Sequence, residues 1–65
     1  MQDSPPVTLT LILTGEQAWA LAQFLKRAGL DDYRRLAADE DEADVMRAAG
    51  EALRAQLVFA GYAPR

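Results

Sequence analysis

The sequence predicts an α+β fold of the order β-α-α, with a single N-terminal strand, two main helices and a short helix between them. Two observations carry this prediction. Apolar and β-branched side chains alternate over residues 7–13, which is typical of a half-buried strand. Two longer segments then each begin with a helix-capping pair and end at a glycine. We expect residues 1–6 to form a flexible lead and residues 7–65 to form one domain.

The predicted strand has no visible partner, because no second strand follows it in the sequence. Its two faces are Val7, Leu9, Leu11 and Leu13 on one side and Thr8, Thr10 and Ile12 on the other. A lone strand leaves backbone N–H and C=O groups unpaired on both edges, which makes it a template for another chain. We therefore expect residues 7–13 to pair with their copy across a two-fold axis in a homodimer, with the helices covering the leucine face. The alternative is that the strand stays unpaired until a different protein offers it an edge strand.

The first helix is predicted over residues 15–28. Thr14 is a favourable N-cap, and Gln17 stands at the spacing of a capping box. Gly29 is expected to adopt the left-handed conformation that ends many helices. The sequence therefore marks both ends of this helix.

The second main helix is predicted to follow Asp39 as its N-cap and to continue to Ala60. Gly61 is expected to end it in the left-handed conformation. Between the two main helices, Asp31 is expected to cap one or two turns within residues 30–38. The sequence thus provides three helical segments of unequal length.

The helical periodicity assigns a core face to each main helix. These predicted core residues are Ala18, Leu21, Leu25 and Ala28, flanked by Phe24, on the first helix, and Met46, Ala49, Leu53, Leu57 and Ala60 on the second. Gly50 is expected to let a neighbouring side chain approach closely. The second helix carries further apolar residues beside this stripe, so it is predicted to be buried on more than one side.

Apolar side chains outside the predicted core indicate an interface with another chain. The predicted interface residues are Val7, Leu9, Leu11, Leu13, Trp19, Ala52, Ala55, Val58 and Phe59. Trp19 has two interpretations, because Tyr33 or the Pro5–Pro6 segment could cover it within the chain, or a second chain could bind it.

The composition argues against most kinds of chemistry. The 65 residues include no cysteine and no histidine, and the formal net charge is −3. Nucleophilic catalysis lacks a suitable group, and the usual zinc ligands are missing, so we predict no enzyme, no cofactor and no metal site. The acidic balance makes nucleic acid an unfavourable partner. No basic segment precedes an apolar run, so we expect no signal peptide, no membrane segment and a cytoplasmic location.

The chain resembles two groups of proteins. The segments LTGEQAWALAQFLKRAG, EADVMRAAGEALR and GYAPR are similar to a family of short uncharacterised proteobacterial proteins often found near phage or other mobile-element genes. That resemblance implies a bacterial accessory or host-modulating role without an assigned activity. A strand followed by two helices is also similar in topology to the ribbon-helix-helix DNA-binding proteins, although the strand lacks their polar base-reading side chains.

These observations predict a small, non-enzymatic protein-interaction module that forms a homodimer and also binds an unidentified protein. The alternative is a DNA-binding regulator of the ribbon-helix-helix type. In that case the outward side chains Thr8, Thr10 and Ile12 would face the bases.

Overall fold

A computed structural model describes residues 4–65 as an all-helical chain. Its three helices are α1 (Gly15–Arg27), α2 (Leu30–Leu36) and α3 (Glu40–Phe59). Residues 4–65 contain no β-strand. The predicted α+β class is therefore wrong, whereas the order of one long, one short and one longest helix is as predicted.

Residues 7–13 form neither strand nor helix. The prediction that they pair as a strand across a homodimer is therefore wrong, like the predicted fold class. A strand requires a second segment at hydrogen-bonding distance, and nothing in the described part of the chain provides one. The alternating side chains have a different role. Leu13 packs on the core, while Leu11 and Leu9 are 62% and 84% exposed, so burial decreases with distance from α1. The topological similarity to ribbon-helix-helix proteins loses its basis with the strand.

The start of α1 is as predicted, but its end is not. The Gln17 N–H donates to the Thr14 hydroxyl, and the Thr14 N–H donates to the Gln17 side chain, both at 3.0 Å. Gly29 has φ −98°, which is not left-handed, and it is the N-cap of α2. Its N–H donates to the Asp32 carboxylate at 2.8 Å. The short helix is confirmed, but Asp32 replaces Asp31 as the capping side chain.

Both ends of α3 follow the predicted signals. The Glu42 N–H donates to the Asp39 carboxylate at 2.8 Å, which caps the N-terminus. At the other end Gly61 has φ +101°, and the Tyr62 N–H donates to the carbonyl of Leu57 at 2.8 Å. This Schellman arrangement requires a residue that tolerates positive φ. It turns the chain back, and Tyr62 packs against the core.

The buried core is very small. Among the described residues, the buried apolar side chains are Ala18, Ala22, Leu25, Ala43 and Leu57. Ala22 and Ala43 were not among the predicted core residues, although they lie at helical spacing from them, and Phe24, which was placed beside the core, is 63% exposed. The side chains of the buried alanines are small, so they allow the helices to approach closely. Because three of the five are alanines, the core supplies little hydrophobic free energy for a domain of this size.

The three helices pack together through α3. α3 packs against both α1 and α2, whereas no Cα atoms of α1 and α2 approach within 8 Å of each other. The molecule measures 35 × 27 × 15 Å, and its radius of gyration is 13.0 Å. A compact chain of this length would have a radius of gyration of about 11 Å. The chain is therefore more extended than a compact domain of its length.

Candidate interaction surface

Large apolar side chains cover much of the surface. Those exposed in the described residues are Val7, Leu9, Leu11, Ile12, Trp19, Phe24, Leu36, Val45, Val58 and Phe59. The accessible surface is 5596 Å², and a compact 7.1 kDa monomer would expose about 4,100 Å². Part of the difference comes from the irregular segment before α1. Apolar side chains that remain exposed over so large a fraction of the chain indicate surfaces that other molecules cover.

One open groove lies between the N-terminal segment and the second half of α3. We call it the leucine groove, and it is lined by Leu9, Thr10, Leu11, Leu13, Leu53, Gln56, Leu57 and Ala60. The capping box at Thr14 begins α1 at the point where Leu13 reaches the core. The leucines before it face α3 across the groove. The structure therefore brings Leu9, Leu11 and Leu13 of the predicted interface together at one site, while Val7 lies outside the groove lining and is 78% exposed.

The end of α3 places further predicted interface residues at the surface. Val58 is 47% exposed and Phe59 is 90% exposed. Phe59 follows buried Leu57 by two residues, so it lies about 160° away around the helix. Ala52 and Ala55 are exposed on the side that includes Phe59. Their location is as predicted, and binding at this surface stays a prediction.

Trp19 is contacted within the chain by an aromatic residue that the sequence interpretation did not consider. The rings of Trp19 and Tyr62 meet edge to face, with centroids 5.5 Å apart and an interplanar angle of 85°. Trp19 nevertheless stays 46% exposed. The predicted cover by Tyr33 is wrong, because the Tyr33 ring packs on Gly50 in α3. The Gly61 turn was the sequence signal that could have identified Tyr62, since it directs the chain back toward α1.

A second concavity lies between α1 and α2. We call it the Phe24–Leu36 patch, and it is lined by Ala20, Phe24, Arg27, Ala28, Asp32, Arg35 and Leu36. Its two largest apolar side chains, Phe24 and Leu36, are 63% and 74% exposed. Sequence reasoning missed this patch because it placed Phe24 beside the core. Phe24 follows Leu21 by three residues and precedes Ala28 by four, so helical spacing places it beside the predicted stripe and gave no signal of its exposure.

A third surface lies on the first half of α3, facing away from the core. We call it the acidic face, and it is lined by Asp41, Glu42, Asp44, Val45 and Ala48. Val45 is 58% exposed among these carboxylates. Thus the apolar surface of the molecule is divided into areas with different charge.

Comparison with models of known protein families gives a match. A model for a family of unknown function, DUF7706, matches residues 1–65. The chain belongs to the DUF7706 family. The prediction that the chain belongs to a family without an assigned function is therefore confirmed. No curated protein and no solved structure matches the chain.

Two further predictions for this DUF7706 chain concern metal binding and membrane crossing. Residues 4–65 hold no group of three or more carboxylate, histidine or cysteine side chains placed to bind a metal ion. Within the same residues, no helix combines the length and apolar character needed to cross a membrane.

The arginines of α2 are engaged with neighbouring carboxylates. Arg34 lies 2.7 Å from Glu40 and 3.4 Å from Asp31, so it joins α2 to the first turn of α3. The hydrogen bond to Glu40 is the main reason that the pKa of Arg34 is raised above its ordinary value. Arg35 contacts Asp32 at 2.9 Å. These exposed pairs fix local geometry and contribute little stability.

The Asp32 carboxylate gives a prediction for low pH. Its pKa is lowered from the ordinary value, first by the hydrogen bond from the Gly29 N–H and then by Arg35. Because the folded pKa is the lower one, the stabilisation is complete above the unfolded value of about 3.9 and is lost as pH falls through the folded pKa. A carboxyl NMR titration should give a midpoint below that value. In the Arg35→Gln variant the midpoint should rise but remain depressed, and an unchanged midpoint would contradict the role of Arg35.

Proposed function

We propose that this DUF7706 protein is a small, non-enzymatic protein-interaction module that associates with a second copy of itself. The contact uses the leucine groove together with Phe59, which lies about 60° around α3 from Gln56 at the edge of the groove. The observation that carries the proposal is the contrast between five buried apolar residues and ten large apolar side chains left exposed in the described residues. Association through these side chains needs no backbone pairing between chains.

The exposed area supports a stable dimer. The accessible surface exceeds that of a compact monomer of this mass by roughly 1,500 Å². Obligate dimers bury about 1,000–2,500 Å² on each partner. The uncovered area is therefore of the size that one partner of this kind removes from solvent.

The composition explains why a second copy is the first partner to consider. Chains shorter than about 70–80 residues usually need disulfides, a metal or oligomerisation for stability. The sequence has no cysteine and no histidine, so neither disulfide bonds nor the usual zinc sites can stabilise the fold. A second copy is always present with the first. Self-association would cover the large apolar side chains that the chain leaves exposed.

A charge placed in the leucine groove tests this proposal. Leu11→Asp should raise the dimer dissociation constant at least about 100-fold, because a carboxylate cannot be buried there without a partner. Thr8→Asp is the matched control, since it adds the same charge to the same segment at an exposed residue outside the groove lining. Sedimentation equilibrium of both variants and the parent chain measures the effect. A parent chain that stays monomeric at high micromolar concentration would refute the proposal, as would equal effects of the two variants.

The biological setting rests on the sequence resemblance. We infer an accessory or host-modulating role in a proteobacterial mobile element, in the cytoplasm, and a further protein partner would fit that role. DNA binding was the alternative, and it is opposed by the net charge of −3 and by the engagement of Arg34 and Arg35 with carboxylates. Isolation of the chain from its native host with a crosslinked partner, or with crosslinked DNA, distinguishes the two roles.

A further inference from the structure

The Phe24–Leu36 patch and the acidic face have complementary properties. The patch combines two exposed apolar side chains with the guanidinium groups of Arg27 and Arg35, and its one carboxylate, Asp32, is already paired with Arg35. Arg27 forms no ion pair with any residue of the described chain. One cation at the rim of the patch is therefore available to a partner.

The acidic face has the opposite charge around a smaller apolar centre. Asp41, Glu42 and Asp44 surround Val45 and Ala48 in an open depression. None of these three carboxylates forms an ion pair within residues 4–65. A partner helix of this kind offers a valine to an apolar concavity and carboxylates to a guanidinium, which gives charge-assisted contacts and fixes orientation.

We propose that the Phe24–Leu36 patch of one copy binds the acidic face of α3 in another copy. Val45 of the second copy would rest between Phe24 and Leu36, and Asp41 or Asp44 would face Arg27. Because two different surfaces meet, the contact is heterologous and can continue from copy to copy. This second contact deepens the proposed function. It rests on that function only in one respect, because both contacts are forms of self-association. It uses none of the residues of the leucine groove.

Salt separates the two contacts. The Debye length falls from about 8 Å at 0.15 M salt to about 3 Å at 1 M, so exposed charge pairs are weakened at high salt. The leucine groove is lined only by apolar and uncharged side chains, and its contact should persist there. At 0.15 M salt the chain is expected to form species larger than a dimer, and at 1 M salt these should return to the dimer.

Charge-reversal variants test the assignment of residues. Arg27→Glu should raise the dissociation constant of the larger species about tenfold or more, which corresponds to one lost charge pair. Lys26→Glu is the matched control, because it makes the same change in the last turn of α1 at a residue outside the patch. The double variant Arg27→Glu with Asp44→Arg should restore association, because the exchanged charges again face each other between copies.

The measurement is sedimentation velocity of the full chain from 10 to about 500 μM, in the Leu11→Asp background as well as in the parent. In that background any association belongs to the patch, so a failure of the leucine-groove contact and a failure of this one give different results. Association that is weakened by Arg27→Glu, unchanged by Lys26→Glu and restored by the double variant supports the proposal. Absence of association in Leu11→Asp, equal effects of Arg27→Glu and Lys26→Glu, or no restoration would overturn it.

Discussion

Gly50→Ala is expected to lower the free energy of unfolding by about 1–3 kcal/mol, as overpacking of a filled site does. A Cβ atom at Gly50 would collide with the Tyr33 hydroxyl and lie 3.1 Å from the ring carbon that bears it. The hydroxyl is buried and has no hydrogen-bond partner among the described residues, so the Tyr33 ring must shift to admit the Cβ atom. Tyr33 would have to leave α3, and α2 would lose its main contact.

The sign of this effect makes the test decisive. In an unconstrained helix, glycine to alanine stabilises by about 0.5–1 kcal/mol. Gly50→Ala should therefore destabilise the parent chain but stabilise a Tyr33→Ala chain, where the obstructing ring is gone. Urea denaturation followed by circular dichroism measures all four members of this cycle at one protein concentration. If Gly50→Ala stabilises the parent, the close packing of Tyr33 on α3 is wrong.

Leu57→Ala is expected to leave the isolated chain largely unfolded. Leu57 is the buried large side chain of α3, 7% exposed, and it packs in one cluster with Ala18, Ala22 and Leu25. Removing a buried leucine side chain costs about 2–5 kcal/mol. A domain of this size usually has only about 3–5 kcal/mol of stability, so little of it would remain.

Phe59→Ala is the matched comparison, since Phe59 is a larger apolar residue of the same helix end but is 90% exposed. It should change the stability of the monomer by less than about 0.5 kcal/mol, as surface substitutions do. Its effect should instead appear in the dimer dissociation constant. Thermal unfolding in dilute solution and sedimentation equilibrium at higher concentration separate the two quantities. Equal loss of monomer stability in both variants would show that the face bearing Phe59 is packed within the chain.

The helix ends were predictable because their signals are local. The Thr14 capping box, the Asp39 cap and the Gly61 turn each depend on hydrogen bonds within a few residues, so the sequence contains all the partners. Gly29 was misread because two helices meet there. A glycine after one helix is also a residue before the next, and Asp32 provided the competing capping interaction.

The tertiary arrangement was less predictable for a physical reason. Alternation over residues 7–13 indicates that successive side chains differ in environment, but it does not show that a second strand is present. The segment meets α3 through side chains. The contacts of Tyr33 with Gly50 and of Tyr62 with Trp19 join residues far apart in sequence, and periodicity contains no information about such pairs. Of the candidate site, the exposed residues near the chain ends were predicted, and the Phe24–Leu36 patch was not.

The central position of α3 has an evolutionary consequence. No Cα atoms of α1 and α2 lie within 8 Å of each other, so these two helices are related mainly by their separate packing on α3 and by the short link at residues 28–29. Energetic coupling between residues without shared neighbours is small. The residues with which α1 and α2 pack on α3 can therefore diverge separately in DUF7706 proteins, whereas the Phe24–Leu36 patch, to which both helices contribute, requires their outer surfaces to change together.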